Sequence, residues 1–275
     1  MERARDVHLG SLDRVLAQVR GRPVPDWDRR RHYSGERART VAYLLVLDTC
    51  NFSFWGKPGG YWRLAEALRD AFAAGAPLDD PKFLAQIDAG RLERWLGDLP
   101  MLEERAAALR ELGRLGAPLD ELVQPSAVAT ARTLAERLRS YADYADYDGR
   151  RVAFLKRAQI APADLHGAGV ADFPDLEELT CFADYKLPQL LRHLGAIVYS
   201  DRLARRVDGW QELQPGEGAE VEIRAATVVG VERIRDALES EGRQPRSFEV
   251  DWILWAISQG VYPIRPHHRV RTVFY

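Results

Sequence analysis

The sequence predicts a mainly α fold, a single compact helical domain spanning residues 1–275 with at most short β segments. Three observations predict it. Apolar residues recur at three- and four-residue spacing along most of the chain. Proline and small polar residues stand where helices start, and glycine where they stop. No repeat of fixed period appears, so the elements read as one unit. A length of 275 residues allows one large domain or two small ones, with ample core either way.

In chain order, Val7, Leu12, Val15, Leu16 and Val19 form a helical stripe that ends at Gly21-Arg-Pro23. The aromatic and basic loop 25–34 carries His32, and a lone loop histidine reads as solvated. Residues 36–49 form a second helix with Val41, Leu44 and Leu45 inward. It runs into Asn51-Phe-Ser-Phe-Trp55 and a flexible turn, Gly56-Lys-Pro-Gly-Gly60. Three aromatics there suit a pocket wall and a core corner equally. Residues 61–74 are a helix stopped by Gly75, and Asp80-Pro81 begins the next. Residues 91–96 and 99–115 continue the pattern, and Ser126 caps a helix that reaches Ser140.

The acidic, aromatic stretch 140–149 reads as a loop and a candidate lobe boundary. Residues 151–165 return to helical spacing and hold Lys156-Arg-Ala-Gln159. Gly167-Ala-Gly169 is a helix stop, since neither dinucleotide-binding nor P-loop spacing is present. Asp172-Phe-Pro174 caps a short helix. Beyond it Pro188 fits a first helical turn, Leu187, Leu190, Leu191 and Leu194 share a face, and Gly195 ends the helix. Ser200 caps 201–207, residues 220–238 form a long helix, and Ser247 caps the last, 248–259. The alternating tail 269–275 predicts a short strand.

Composition is ordinary globular, and the net charge of −2 supplies no global basic field for nucleic acid. Cys50 and Cys181 lack metal or redox spacing and suggest no disulfide framework. The first residues lack the apolar core of a secretory signal, and no apolar run approaches the roughly 20 residues of a membrane span. A soluble, cytoplasmic protein is expected. The adjacent pair His267-His268 cannot turn both rings to one helix face and has no carboxylate at ligand spacing, so it reads as surface, with no metal site. No Gly-x-Ser-x-Gly nucleophile turn exists.

Two carboxylates are placed for chemistry. Phe182 and Asp184 stand at the mouth of a helix, just ahead of Lys186. There a flat heterocycle can stack on the ring and donate its N–H edge to the acid. The same residues also fit an apolar helix with a solvated acid at its start. Asp251 lies about a turn inside the last helix, near the positive end of its dipole, which favours the ionised form. Flanked by Trp252 and Trp255, it suits a nucleophile or a counter-charge to a sugar cation, and equally an acid that complements its helix.

Phe182-Ala-Asp-Tyr-Lys-Leu-Pro-Gln189, Asn51-Phe-Ser-Phe-Trp55, Lys156-Arg-Ala-Gln159, Glu220-Val-Glu-Ile-Arg224 and Asp251-Trp-Ile-Leu-Trp255 resemble the signatures of the queuosine salvage protein family. They stand in the family's order, and the resemblance runs from about residue 7 to residue 275. It implies an N-glycosylase that cleaves queuosine 5′-phosphate to queuine and ribose 5-phosphate, salvaging a tRNA-modifying base. It also implies a helical fold related to helix-hairpin-helix DNA glycosylases. No cofactor, metal, stable nucleic-acid partner or membrane association is expected. The family's catalytic aspartate falls on Asp251, and its base-binding aromatic and acid fall on Phe182 and Asp184. Trp252 takes the place of the residue after the nucleophile, and His32 that of a substrate-binding histidine.

One departure is Ala256, where some relatives carry an acid. Lys186 or Arg157 is the expected partner of the 5′-phosphate, from charge and position. Two alternatives stay open: a nucleic-acid glycosylase or helical nucleic-acid-binding protein of similar fold, and a non-catalytic queuine carrier.

Overall fold

The computed structural model describes residue 1, residues 3–56 and residues 59–275, so the turn expected through Lys57 and Pro58 lies outside the described residues. The fold is mainly α. Among the described residues the helices are α1 (Asp13–Val19), α2 (Arg37–Thr49), α3 (Gly60–Ala73), α4 (Pro81–Leu84), α5 (Ala89–Leu96), α6 (Leu102–Arg114) and α7 (Ala127–Arg137). They continue with α8 (Lys156–Gly167), α9 (Lys186–His193), α10 (Asp201–Asp208), α11 (Gly218–Ser240) and α12 (Ser247–Ser258). Four short strands accompany them: β1 (Val7–Leu9), β2 (Tyr144–Tyr147), β3 (Arg150–Ala153) and β4 (Ile197–Tyr199). None of the helices is long and apolar enough to cross a membrane.

The chain divides into two compact units. The first comprises Met1–Pro25, Tyr144–Lys156 and Glu177–Arg271; the second comprises Asp26–Asp143, Arg157–Leu176 and Thr272–Tyr275.

In the first unit α9, α11 and α12 pack on one another, with β1 against α11 and α1 against α12. Strand β1 pairs antiparallel with β4, Val7 opposite Tyr199 and Leu9 opposite Ile197. Residues 7–9 are thus a strand, not the start of the first helix, which begins at Asp13. The chain leaves α9 at Gly195, whose φ of +82° no bulky residue adopts cheaply. Gly10 is equally constrained: a Cβ there would lie 2.0 Å from the Gly195 carbonyl oxygen.

The stretch expected as an acidic loop is a hairpin, β2 paired with β3. Asp148 and Gly149 turn it with φ of 50° and 74°, the backbone an Asp-Gly pair supplies at two-residue hairpin loops. Helix α8 consequently starts at Lys156, because Arg150–Ala153 is committed to the sheet. Phe154, Ala183 and Val221 form a small core beneath Tyr147 and Val152.

Glu222 of α11 ties these parts of the unit together. Its Oε2 accepts the backbone N–H groups of Arg5, Asp6 and Val7 at 2.9, 2.6 and 3.0 Å, and its Oε1 accepts the Tyr147 hydroxyl at 2.6 Å. Ser247 is the first residue of α12 rather than its cap; the Glu249 carboxylate accepts the Arg246 N–H instead, at 2.7 Å. The strand expected over 269–275 is absent among the described residues, and only an isolated bridge between Glu212 and Arg269 forms.

In the second unit α2 is buried from Thr40 through Thr49 and packs against α3 and α6. Asp80 and Ser126 cap α4 and α7 as expected, accepting the N–H groups of Lys82 and Ala129. The C-terminus of α2 is finished by two buried arginines. Arg105 donates to the carbonyls of Cys50, Phe52 and Pro100, and Arg157 to those of Asp48, Thr49 and Ser140. Carbonyls at a helix C-terminus lack partners within the helix, and cations there also complement the dipole. Phe52 lies under both guanidinium groups, at 4.5 and 5.1 Å.

Glu222→Ala removes the acceptor of four hydrogen bonds in a buried site, each contributing about 0.5–1.5 kcal/mol net. The variant is expected to lose about 2–4 kcal/mol in urea unfolding. A loss within the measurement error would contradict the tie.

Candidate active site

The segment before α9 has its backbone held by side chains from two helices of the first unit. The Phe182 N–H donates to Asp251 Oδ2 of α12 at 2.8 Å. The next residue's carbonyl, Ala183 O, accepts Arg224 Nε of α11 at 2.9 Å. Asp184 then starts α9: its Oδ1 accepts the N–H groups of Lys186 and Leu187 at 2.6 and 3.0 Å. Phe182, Asp184 and Asp251, expected together from the sequence, are gathered by these bonds into one constellation.

Asp251 is the fifth residue of α12 and only 4% exposed. A carboxylate so placed needs hydrogen-bond donors to stay charged, and the Phe182 amide is one. Trp252, beside it, is half-buried and meets the Phe248 ring edge-on at 5.1 Å. Cys181 shows the charge of the region. Burial, and the acids Asp251, Glu232 and Asp184 around it, push its thiol well above the usual range, so it stays protonated and unreactive.

Arg224 is 2% exposed, pairs with Glu220 at 3.4 Å and lies over the Phe154 ring at 4.0 Å. Its role was not foreseen, although the Glu220-to-Arg224 spacing of four residues is the signal of a helix ion pair. Lys186 is half-buried; burial lowers its pKa while Asp184 opposes the shift. Its Nζ donates to Gln189 Oε1 at 3.1 Å, and Gln189 Nε2 donates to the Arg265 carbonyl at 2.6 Å.

The expectation that His267-His268 is a surface pair is corrected. His268 is buried, and burial depresses its pKa to about 3. His267 Nδ1 lies 2.7 Å from the His268 carbonyl, which can only accept, so that nitrogen carries the proton. Tyr185 packs on the His267 ring at 4.6 Å.

Two expected residues lie in the second unit. His32 is not solvated: it is 3% exposed and stacks on Trp27 at 4.1 Å, with Tyr61 and Trp62 at 5.9 and 5.8 Å. The Tyr43 hydroxyl donates to the Ala65 carbonyl, so at 3.1 Å it accepts from His32 Nδ1–H, which leaves Nε2 as the acceptor of a neutral ring. Arg157 is 1% exposed, with both terminal nitrogens donating to carbonyl oxygens. The structure gives it the finishing of α2 rather than an open cationic head.

Burial pushes the His32 pKa down to about 4. Below about pH 6.5 the unfolded chain takes up a proton at this residue that the native state refuses. Its contribution is therefore fully present above pH 6.5 and lost as pH falls toward 4, by about 3 kcal/mol at the acid end. Urea unfolding of wild type and His32→Gln between pH 7.5 and 4.5 should show the steeper loss in wild type. Parallel curves would mean that His32 titrates as in the unfolded chain.

The family model described as queuosine salvage protein matches residues 31–275. The queuosine 5′-phosphate N-glycosylase/hydrolase of Sphaerobacter thermophilus is 42% identical over 91% of this chain and 86% of its own. The protein of the same name from Dictyostelium discoideum is 36% identical over 86% and 78%, and that of Mus musculus 32% over 88% and 83%. The chain belongs to the queuosine salvage protein family.

Proposed function

We propose that this chain is an N-glycosylase that hydrolyses queuosine 5′-phosphate, a small nucleotide, to queuine and ribose 5-phosphate. The names of its relatives support the substrate. The observation that carries the residue assignment is the bond from the Phe182 amide to the Asp251 carboxylate. It sets the base-binding segment directly against the charged group.

Queuine is a 7-deazaguanine, so the ring nitrogen at which other purine glycosylases protonate their leaving group is absent. Catalysis then leans on the sugar. Asp251, as nucleophile or counter-charge, stabilises positive charge developing at C1′, by the logic of retaining glycosidases. Asp184 spends Oδ1 on the start of α9 and offers Oδ2 to the guanine-like N–H edge of the base. Phe182 and Trp252 supply faces for stacking, worth roughly 1–3 kcal/mol per base.

Lys186 takes the 5′-phosphate in preference to Arg157, whose terminal N–H groups are engaged by carbonyls. His32, in the second unit, presents a neutral acceptor rather than a charge. The two units serve one N-glycosylase domain, in the cytoplasm, where thiols such as the free, buried Cys50 and Cys181 stay reduced.

The test uses Asp251→Asn, because the asparagine carbonyl still accepts the Phe182 N–H and the fold is retained. Wild type incubated with queuosine 5′-phosphate should release free queuine on chromatography. The variant should melt within a few degrees of wild type and turn over ~10³-fold more slowly, as when other charge stabilisers are lost. Tight binding without release by wild type would mark a carrier, and near-normal turnover by the variant would remove Asp251 from the chemistry.

A further inference from the structure

Arg224 and Glu220 form an ion pair that is costly as a source of stability. Both are nearly fully buried, and a buried pair repays its desolvation only with good geometry and further hydrogen bonds. The further bonds here are specific. Arg224 Nε donates to the Ala183 carbonyl, and Glu220 Oε2 accepts the Gly216 N–H at 3.2 Å. The guanidinium plane is set by Glu220 on one side and by the Phe154 ring, 4.0 Å away, on the other. Its hydrogen bond to Ala183 O therefore has a fixed direction.

Ala183 stands between the aromatic and the acid of the base-binding segment. Its neighbour's amide is held by Asp251, and the following carboxylate starts α9. The backbone of residues 182–184 is thus stretched between a side chain of α12 and a side chain of α11. The directions of the Phe182 ring and the Asp184 carboxylate follow from that backbone, and a misplacement of about 1 Å can cost ~10²-fold in rate.

We propose that Arg224 is a positioning residue for N-glycosidic cleavage: through the Ala183 carbonyl it holds Phe182 and Asp184 in register with Asp251, with Glu220 and Phe154 fixing the guanidinium. This rests on the functional reading above. In this role Arg224 acts through the segment and not on the substrate.

The experiment compares wild type, Arg224→Lys and the charge-neutral pair Arg224→Gln with Glu220→Gln, which leaves no unpaired buried charge. Backbone amide exchange of the segment 181–187 and steady-state kinetics on queuosine 5′-phosphate are read on each folded protein. The neutral pair should exchange at least ~10-fold faster in that segment and lose ~10–100-fold in kcat. Arg224→Lys, which restores one donor without the planar fork, should fall between. If the neutral pair does not fold, Arg224→Lys carries the same test with the same directions. A lowered melting temperature with kcat and segment exchange at wild-type values would overturn the proposal and leave Arg224 purely structural. Absence of turnover by wild type would instead sink the functional reading, while the exchange of 181–187 would still decide whether Arg224 holds the segment.

Discussion

The hydrogen bond from the Phe182 amide to Asp251 is the constraint on which the proposed site in the first unit depends. A carboxylate buried in the first half of a helix keeps its charge only where donors are supplied, and one donor here is backbone rather than side chain. That choice couples two functions. In the proposed reading, the group that would stabilise charge on a sugar is bonded to the backbone of the segment that would hold the base. Arg224 completes the arrangement from the opposite side, and Asp184 converts the end of the segment into the start of α9.

A second constraint governs the other unit. Helix α2 is buried from Thr40 to its end and finishes inside the protein, where its last carbonyls find no water. Two arginines solve the problem by donating several hydrogen bonds each, while Phe52 supplies a ring beneath them. Arginine suits this better than lysine because its planar fork reaches two or three carbonyls at once. Phe52 of the Asn51–Trp55 block and Arg157 of the Lys156–Gln159 block are drawn into this arrangement. Blocks that resemble a family signature therefore include groups that finish helices.

The helices were legible because their signals are local. Asp80-Pro81, Ser126, Ser200 and Gly195 each act on the nearest turn, and each does so in the structure. The strands were not. Val7–Leu9 needs a partner 190 residues away in sequence to become a strand, and its three residues continue the apolar spacing of the helix that follows. The Asp148-Gly149 turn was a readable signal, hidden by the acidic residues around it. In the candidate site, Phe182, Asp184 and Asp251 could be named through the family-like blocks that hold them, since residue type and helix position alone fit ordinary structural roles as well. Arg224 could not, since its role exists only once α11 crosses the Phe182–Asp184 segment. His32 and His268 were misjudged for the same reason: burial in an aromatic or apolar surround is a tertiary property, and nothing within a few residues announces it.

The most direct measurement is the crystal structure of Asp251→Asn bound to intact queuosine 5′-phosphate. The account predicts the base edge within about 3 Å of Asp184 Oδ2. It also predicts that C1′ faces residue 251 and that the Phe182 amide is still bonded to that side chain. A nucleotide seated with its base away from Phe182 and Asp184, or with C1′ remote from residue 251, would contradict it.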